Sequence, residues 1–185
     1  MSEKEGQGID VKELSSTSFG YVIGFLLPGL LGLYALAYWF PDIRSLLEPA
    51  ASKDATIGPS FLLLLSALTV GLLTSAMRFF VFEKWLCKEH SFQKDMFKEL
   101  AKEQKLPAFK AVVDEHYRYH QFYGGCAIAF IVLFPKWLWG NWHFFHCPVR
   151  FILIAIFALF EWLLVVTAKD AFIRYVDRGN SIVQG

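Results

Sequence analysis

The sequence predicts an all-α fold: a polytopic integral membrane protein with four transmembrane helices and a helical cytoplasmic segment between the second and the third. Three observations predict it. Of the 185 residues, 55% are hydrophobic and only 19% are charged, whereas about 25% of an average soluble domain is charged. The hydrophobic residues fall into four blocks that are nearly free of charge. Between the second and third blocks, apolar residues recur at helical spacing among lysines and glutamates.

Three of the four blocks have the length and the composition of a membrane span. A spanning helix needs about 20 mostly apolar residues to cross a hydrocarbon core about 30 Å thick. The first block, 19–40, has no charged residue; the second, 60–82, has only Arg78; and another, 151–168, has only Glu161. We therefore predict two transmembrane hairpins, the first formed by the first two blocks.

The third span, 122–138, has the weakest signal, because its uninterrupted apolar stretch is only 13 residues long. It forms the second hairpin, 122–168, with the block that follows. Two alternatives stay open. The segment is re-entrant or interfacial, or its helix begins near Ala108 and enters the bilayer from the polar side.

Lysine and arginine are unevenly distributed outside the spans. The N-terminal tail (1–18), the 83–121 segment and the C-terminal tail (169–185) hold 13 of them, and the loops 41–59 and 135–150 hold four. Because the excess of Lys and Arg marks the cytoplasmic side, we predict that both termini and the 83–121 segment are cytoplasmic.

Small residues recur every four positions in the first two spans. Lipid gives apolar helices little reason to associate, so close backbone approach through small residues is the usual interface. We expect these two stripes to face each other or a neighbouring protomer, Pro28 to kink the first span, and the chain to form a homo-oligomer. The stripes consist of Gly20, Gly24, Pro28 and Gly32 in the first span and Ala67, Gly71 and Ser75 in the second.

Arg78 in the second span and Glu161 in the fourth are predicted to lie at similar depth. A charge in the middle of a span is unfavourable, so it faces protein or water. An ion pair between the two would offset part of both desolvation costs. A protonated Glu161, and a pore-lining or proton-coupled role for it, are the alternatives.

The 83–121 segment contains an amphipathic helix, because Phe92, Met96 and Leu100 recur every four residues among lysines and glutamates. Its basic surface favours two interpretations. The segment lies on anionic headgroups, or it binds a soluble cytoplasmic partner.

The end of this segment is rich in histidine and tyrosine. We expect His116, Arg118, His120 and Tyr123 to couple the segment to the third span, with an interfacial aromatic belt as the alternative. His116 and His120 share a helical face, but the sequence supplies no clear third ligand, so we predict no metal site.

No motif in the chain indicates catalysis. There is no HExxH, GxSxG or P-loop sequence, and the three cysteines lie in three separate segments. The net charge of +1 shows no nucleic-acid footprint. We predict a protein that is not an enzyme, that has no cofactor and that does not bind nucleic acid directly; its partners are the lipid bilayer, other copies of itself and a soluble protein.

In its hydrophobic layout, and in the string HYRYHQFYGG (116–125) after the basic segment, the chain resembles small four-span inner-membrane proteins of bacterial anti-phage defence systems. The resemblance implies a bacterial inner (plasma) membrane and a role in which a cytoplasmic signal or partner changes the state of the membrane, or a membrane event reaches a soluble effector. It transfers no site residues.

Three functional hypotheses follow. The first is an oligomeric sensor or pore-like effector in a defence or stress response. The second is a passive anchor or scaffold for a soluble effector. The third is a small transporter that uses Glu161 for proton coupling.

Overall fold

Six helices make up almost all of the structure that the computed structural model describes, which covers residues 20, 22–52, 56–93, 96–102 and 105–184. No strand occurs among these residues, which confirms the all-α prediction for them. The predicted N-terminal tail, 1–18, lies outside them. The helices are α1 (Val22–Trp39), α2 (Pro41–Ala51), α3 (Ile57–Leu86), α4 (Met96–Lys102), α5 (Leu106–Gly140) and α6 (Cys147–Gln184).

Four of these helices, α1, α3, α5 and α6, are long and apolar enough to cross a membrane. The 35 residues of α5 and the 38 residues of α6 correspond to about 52 and 57 Å, well beyond a hydrocarbon core of about 30 Å. The third span therefore belongs to a helix that starts at Leu106, in line with the alternative that placed its start near Ala108. The predicted C-terminal tail is part of α6 as far as Gln184.

Three helices contain wide turns with π-helical, i→i+5 hydrogen bonding. These turns cover Val22–Leu26 in α1, Phe79–Leu86 in α3 and Val113–Tyr117 in α5. In α1 the geometry becomes α-helical at Leu27, just before Pro28. The sequence predicts an irregularity at Pro28. It lies in the turn just before Pro28, because proline has no N–H to donate to that turn.

The helices α1, α3 and α5 pack against one another, and α6 packs along α5. Between α1 and α3 the two backbones are in direct contact. Gly29 lies against the carbonyl oxygen of Ala67, and Gly71 lies against that of Phe25, so that a Cβ at either glycine would collide with backbone. Close approach through small residues therefore joins the first two spans, as Ala67 and Gly71 led us to expect.

The predicted stripe on α1 is divided between two neighbours. Gly32 faces α3, at Val70 and Thr74, but Gly20, Gly24 and Pro28 face α5. Their neighbours are Arg118, Gln121 and Gly125, respectively. The expectation that the two stripes face each other is therefore met in part, because α1 packs against both α3 and α5 and uses a separate face for each. These small residues pack within the chain, so they no longer argue for an oligomer.

Two features join the helices at the end opposite α4. The helix α2 follows α1 directly and packs against α1 and α3, within the stretch predicted as a loop. The Trp39 indole N–H donates a hydrogen bond of 2.8 Å to the carbonyl oxygen of Val132 in α5. These contacts fix the position of the α1–α2 corner.

The amphipathic stripe of the 83–121 segment packs against the far end of α6. Met96, Leu100 and Phe109 are buried in a cluster that we call the α4–α6 core; its half-buried members are Phe92, Val113, Tyr175, Ile182 and Val183. Gly179 lets α6 approach, because a Cβ there would lie 2.6 Å from the Phe92 ring. The stripe is thus covered by the chain itself.

Candidate functional site

The main polar feature of the interior is an ion pair between two residues of α3, Arg78 and Glu83. Arg78 Nη1 donates to Glu83 Oε1 at 2.8 Å. The Arg78 side chain is 2% exposed and that of Glu83 is 16% exposed. Burying either charge alone would be very unfavourable, so each requires the other.

Residues of α3 and α5 complete the surroundings of the guanidinium. Arg78 Nη2 donates to the Tyr117 hydroxyl at 3.4 Å and to the Ser75 hydroxyl at 3.5 Å. The guanidinium carbon lies 5.5 Å from the centre of the Tyr117 ring, and the Tyr117 hydroxyl donates to Glu83 Oε1 at 3.4 Å. Ser75, predicted as part of a packing stripe, therefore contacts the buried cation.

His120 lies between this ion pair and α6. Its Nδ1 lies 2.8 Å from the carbonyl oxygen of Ala168, and since a carbonyl only accepts, Nδ1 carries the proton. Nε2 is then the atom that gains or loses a proton, and it lies 3.7 Å from Glu83 Oε1. The rings of Phe82 and Phe172 pack on the imidazole, with centroids 5.8 and 5.0 Å away.

We call Arg78, Glu83, Tyr117 and His120 the junction network. It lies where α3, α5 and α6 meet, between the spans and the α4–α6 core, and Gly124 provides the space for Arg78, because a Cβ there would lie 2.9 Å from the arginine side chain. A crevice of about 330 Å³ reaches the network and has both Glu83 and Tyr117 in its wall. Its other lining residues include His90, Ser91, Phe92 and Tyr175. A solute on that side can therefore contact Glu83.

Glu161 does not contact Arg78, so the predicted ion pair between them does not form. Arg78 pairs with Glu83, which is five residues away on its own helix. Glu161 is buried, and neither of its carboxyl oxygens has a hydrogen-bond partner among the described residues. The thiol of Cys126 on α5 lies within electrostatic range of it.

The other residues predicted to couple the segment to the third span lie around the junction network, on α5. His116 is buried, 3.9 Å from Glu115, and Arg118 forms an ion pair with Asp114 at 2.6 Å. Tyr123 packs on a small apolar cluster of Phe82, Ala127 and Ala168. Of the four predicted residues, His120 is the one that enters the network.

Sequence reasoning missed Glu83 and Tyr117. Glu83 was placed outside the second span, although its spacing from Arg78 matches the i→i+5 repeat of a wide turn. Tyr117 was read as part of an aromatic belt. A lone arginine near the end of a span could have prompted a search for a carboxylate at every nearby spacing.

No group of three or more His, Cys, Asp and Glu side chains that could hold a metal occurs in the described part of the chain. The site is thus a charged, hydrogen-bonded connection between helices. A comparison with protein families, with curated proteins and with solved structures finds no match to the chain.

Proposed function

We propose that this protein spans the inner (plasma) membrane four times, with both termini and the 83–121 segment in the cytoplasm. Four long apolar helices support this, as does the excess of Lys and Arg on one side. Four exposed indoles fit the same frame, since tryptophan prefers the interface, whereas Trp162 is exposed in the middle of α6. Trp85 is exposed at the end of α3, and Trp39, Trp139 and Trp142 are exposed at the opposite ends of the spans.

Within that membrane we propose a sensor that couples the α4–α6 core to the spans through the junction network. The observation that carries this proposal is the fully buried Arg78, whose partners lie on α3 and α5. His120 is hydrogen-bonded to Ala168 of α6, and its Nε2 lies 3.7 Å from the same carboxylate. Buried polar networks tend to be either fully formed or strongly destabilised. A change at Glu83 would therefore be felt by three helices at once.

The crevice gives such a signal a route to the network. It opens beside Glu83, so a proton, an ion or a docking side chain from the cytoplasm would change the charge balance around Arg78. The proposed role lies in a bacterial defence or stress response, as the resemblance to defence-associated membrane proteins implies. The pore-like form of the effector additionally requires a homo-oligomer.

A passive anchor for a soluble effector is the second candidate. It is favoured by the length of α6, which carries the folded α4–α6 core beyond the apolar part of the helix. The exposed side chains of Lys84, Lys88 and Lys110 offer such a partner a basic surface. The transporter is less well supported, because neither carboxyl oxygen of Glu161 has a hydrogen-bond partner among the described residues that would link it to the junction network.

Hydrogen exchange of the full chain in lipid nanodiscs tests the coupling. In Glu83→Gln, we expect amide exchange to rise by about tenfold or more in both the α4–α6 core and residues 118–130 of α5, because a broken buried pair costs several kcal/mol. Glu48→Gln is the matched control, since Glu48 belongs to an exposed pair with Arg44. A rise confined to residues 79–86, or an equal effect of both variants, would contradict the coupling.

Two measurements test the membrane topology, and a third separates the pore-like effector from the anchor. A reporter that is active only in the cytoplasm should be active when it is fused after residue 100. Extraction of the chain from cells should require detergent. Induction of a pore-like effector depolarises cells, whereas an anchor leaves the membrane potential unchanged. A water-soluble chain would refute all membrane roles.

A further inference from the structure

Tyr34 lies between two cavities at the α1–α2 end of the molecule. One cavity, of about 390 Å³, is polar at its rim, where Tyr38, Arg44 and Glu48 line it. The other, also of about 390 Å³, is an apolar groove. Tyr34 contributes to the walls of both, so the two cavities are neighbours that share this side chain.

The apolar groove exists because α6 packs along α5 and leaves its side towards α1 open. Phe130 and Phe134 of α5 form its floor together with Phe157 and Phe160 of α6. The Phe134 and Phe157 rings stack with centroids 3.8 Å apart, which makes the wall continuous. Phe130 lies ten residues before the end of α5, or about 15 Å, which is half of a hydrocarbon core. This is the length of one leaflet.

The rim carries one charge of each sign. Arg44 Nε lies 3.5 Å from Glu48 Oε1, and both side chains are mostly exposed, so they hold each other weakly. The Tyr34 hydroxyl donates to the Tyr38 hydroxyl at 3.5 Å, which leaves the single proton of Tyr38 available to donate to an anion. The rim therefore matches a ligand with a phosphate for Arg44 and an ammonium group for Glu48.

We propose that the two cavities together bind one phospholipid with a phosphoethanolamine headgroup. The phosphate lies against Arg44 and the Tyr38 hydroxyl, the ammonium group lies against Glu48, and one acyl chain fills the groove between α1 and α6. The site lies in the leaflet next to α2. It goes beyond the proposed sensor function and shares with it only the insertion of the spans in a bilayer.

Native mass spectrometry of the full chain in mild detergent tests the site with two added lipids, phosphatidylethanolamine and phosphatidylglycerol. We expect one bound lipid per chain and an affinity about threefold higher for phosphatidylethanolamine, as exposed charge pairs typically give. Arg44→Gln should weaken the binding of both lipids, because both carry the phosphate. Glu48→Gln should abolish the preference and leave one lipid bound.

The controls use the rest of the chain. Arg174 forms an equally exposed pair with Asp170 at the other end of the molecule, so Arg174→Gln should leave lipid binding unchanged. Leu153→Trp fills the apolar groove and should weaken both lipids severalfold.

Three results would overturn the lipid site. The first is equal binding of the two lipids by the wild type. The second is an equal loss of lipid affinity in Arg174→Gln and Arg44→Gln. The third is displacement of the lipid by free phosphoethanolamine, which would show that the groove contributes nothing. The reporter at residue 100 distinguishes this failure from failure of the membrane topology.

Discussion

Arg78 Nη1 donates to Glu83 Oε1 at 2.8 Å across five residues of the same helix. On an α-helix, residues five apart point about 140° away from each other, and ion pairs form at spacings of three or four. The wide turns of Phe79–Leu86 add about one residue per turn and bring position i+5 back to the same face. The buried ion pair therefore depends on the irregular end of α3.

Removal of one partner should destabilise the fold far more than removal of both. We expect Arg78→Met to lower the free energy of unfolding by about 3–5 kcal/mol, because it leaves the Glu83 carboxylate without its cation. The double variant Arg78→Met, Glu83→Met should recover at least half of that loss. Unfolding in mixed micelles with increasing denaturing detergent measures both.

The exposed pair Arg44–Glu48 provides the comparison for this cycle. Its side chains are 73% and 66% exposed, so Arg44→Met should cost less than about 1 kcal/mol. If the losses of the two single variants at Arg78 and Glu83 simply add in the double variant, the two residues do not interact, and the network loses its basis.

Glu161 should behave in the opposite way to Glu83. Its carboxyl group is buried with both oxygens unpartnered among the described residues, so replacement by an apolar side chain of similar size removes a desolvation cost. We expect Glu161→Met to raise the free energy of unfolding by about 1–3 kcal/mol, while Glu83→Met lowers it. A destabilised Glu161→Met would reveal a partner for this carboxyl, such as a second copy of the chain.

Much of the architecture could be predicted from composition, because a run of about 20 uncharged residues has few uses other than a span. The partner of the amphipathic stripe could not be predicted by the same reasoning. Small and apolar residues recur at helical spacing in this part of α6, namely Phe172, Val176, Gly179, Ile182 and Val183. In the structure they pack on the α4–α6 core or belong to the neighbouring cluster with Cys87. Because charged residues lie between these positions, the sequence of this segment is typical of a polar tail, and its buried face is not evident.

The junction network could be predicted only in part from the sequence, for a different reason. Arg78 is conspicuous as the lone charge of its span, and His120 stands in a row of polar aromatic residues. Their common partner, Glu83, is found at a spacing that regular helices do not use. Backbone irregularity of this kind has no clear signal in one sequence, so the pair becomes visible only in three dimensions.

The contact between α1 and α3 predicts a large effect from a single methyl group. Gly29→Ala places a Cβ against the carbonyl oxygen of Ala67, and since backbone cannot rotate away, the helices must separate. We expect a loss of about 3 kcal/mol or more in the free energy of unfolding. In Gly58→Ala, where nothing lies within 4 Å of the new Cβ, the gain in helix propensity should stabilise the protein by up to about 1 kcal/mol. Equal effects at the two glycines would contradict the packing.

Cys87, just after the end of α3, predicts how stability depends on alkaline pH. The thiol is 1% exposed in a cluster with Phe172 and Val176, and burial raises its pKa; the charge of Lys169 opposes this and that of Glu83 adds to it. The folded state therefore holds the thiol proton more tightly than the unfolded chain does. The resulting stabilisation is complete below the unfolded pKa of about 8.5 and is lost as the pH rises above it.

Replacement of Cys87 should remove this component of the alkaline loss of stability. We expect the free energy of unfolding of Cys87→Ala to fall less steeply between about pH 8.5 and 10 than that of the wild type, by up to about 1.4 kcal/mol per pH unit for one titrating group. Cys147→Ala is the control, because Cys147 is exposed and should leave the slope unchanged. A wild-type slope in Cys87→Ala would mean that water reaches this thiol in the folded protein. Maleimide labelling of the native protein at the same pH values checks this directly, since Cys147 should react well before Cys87.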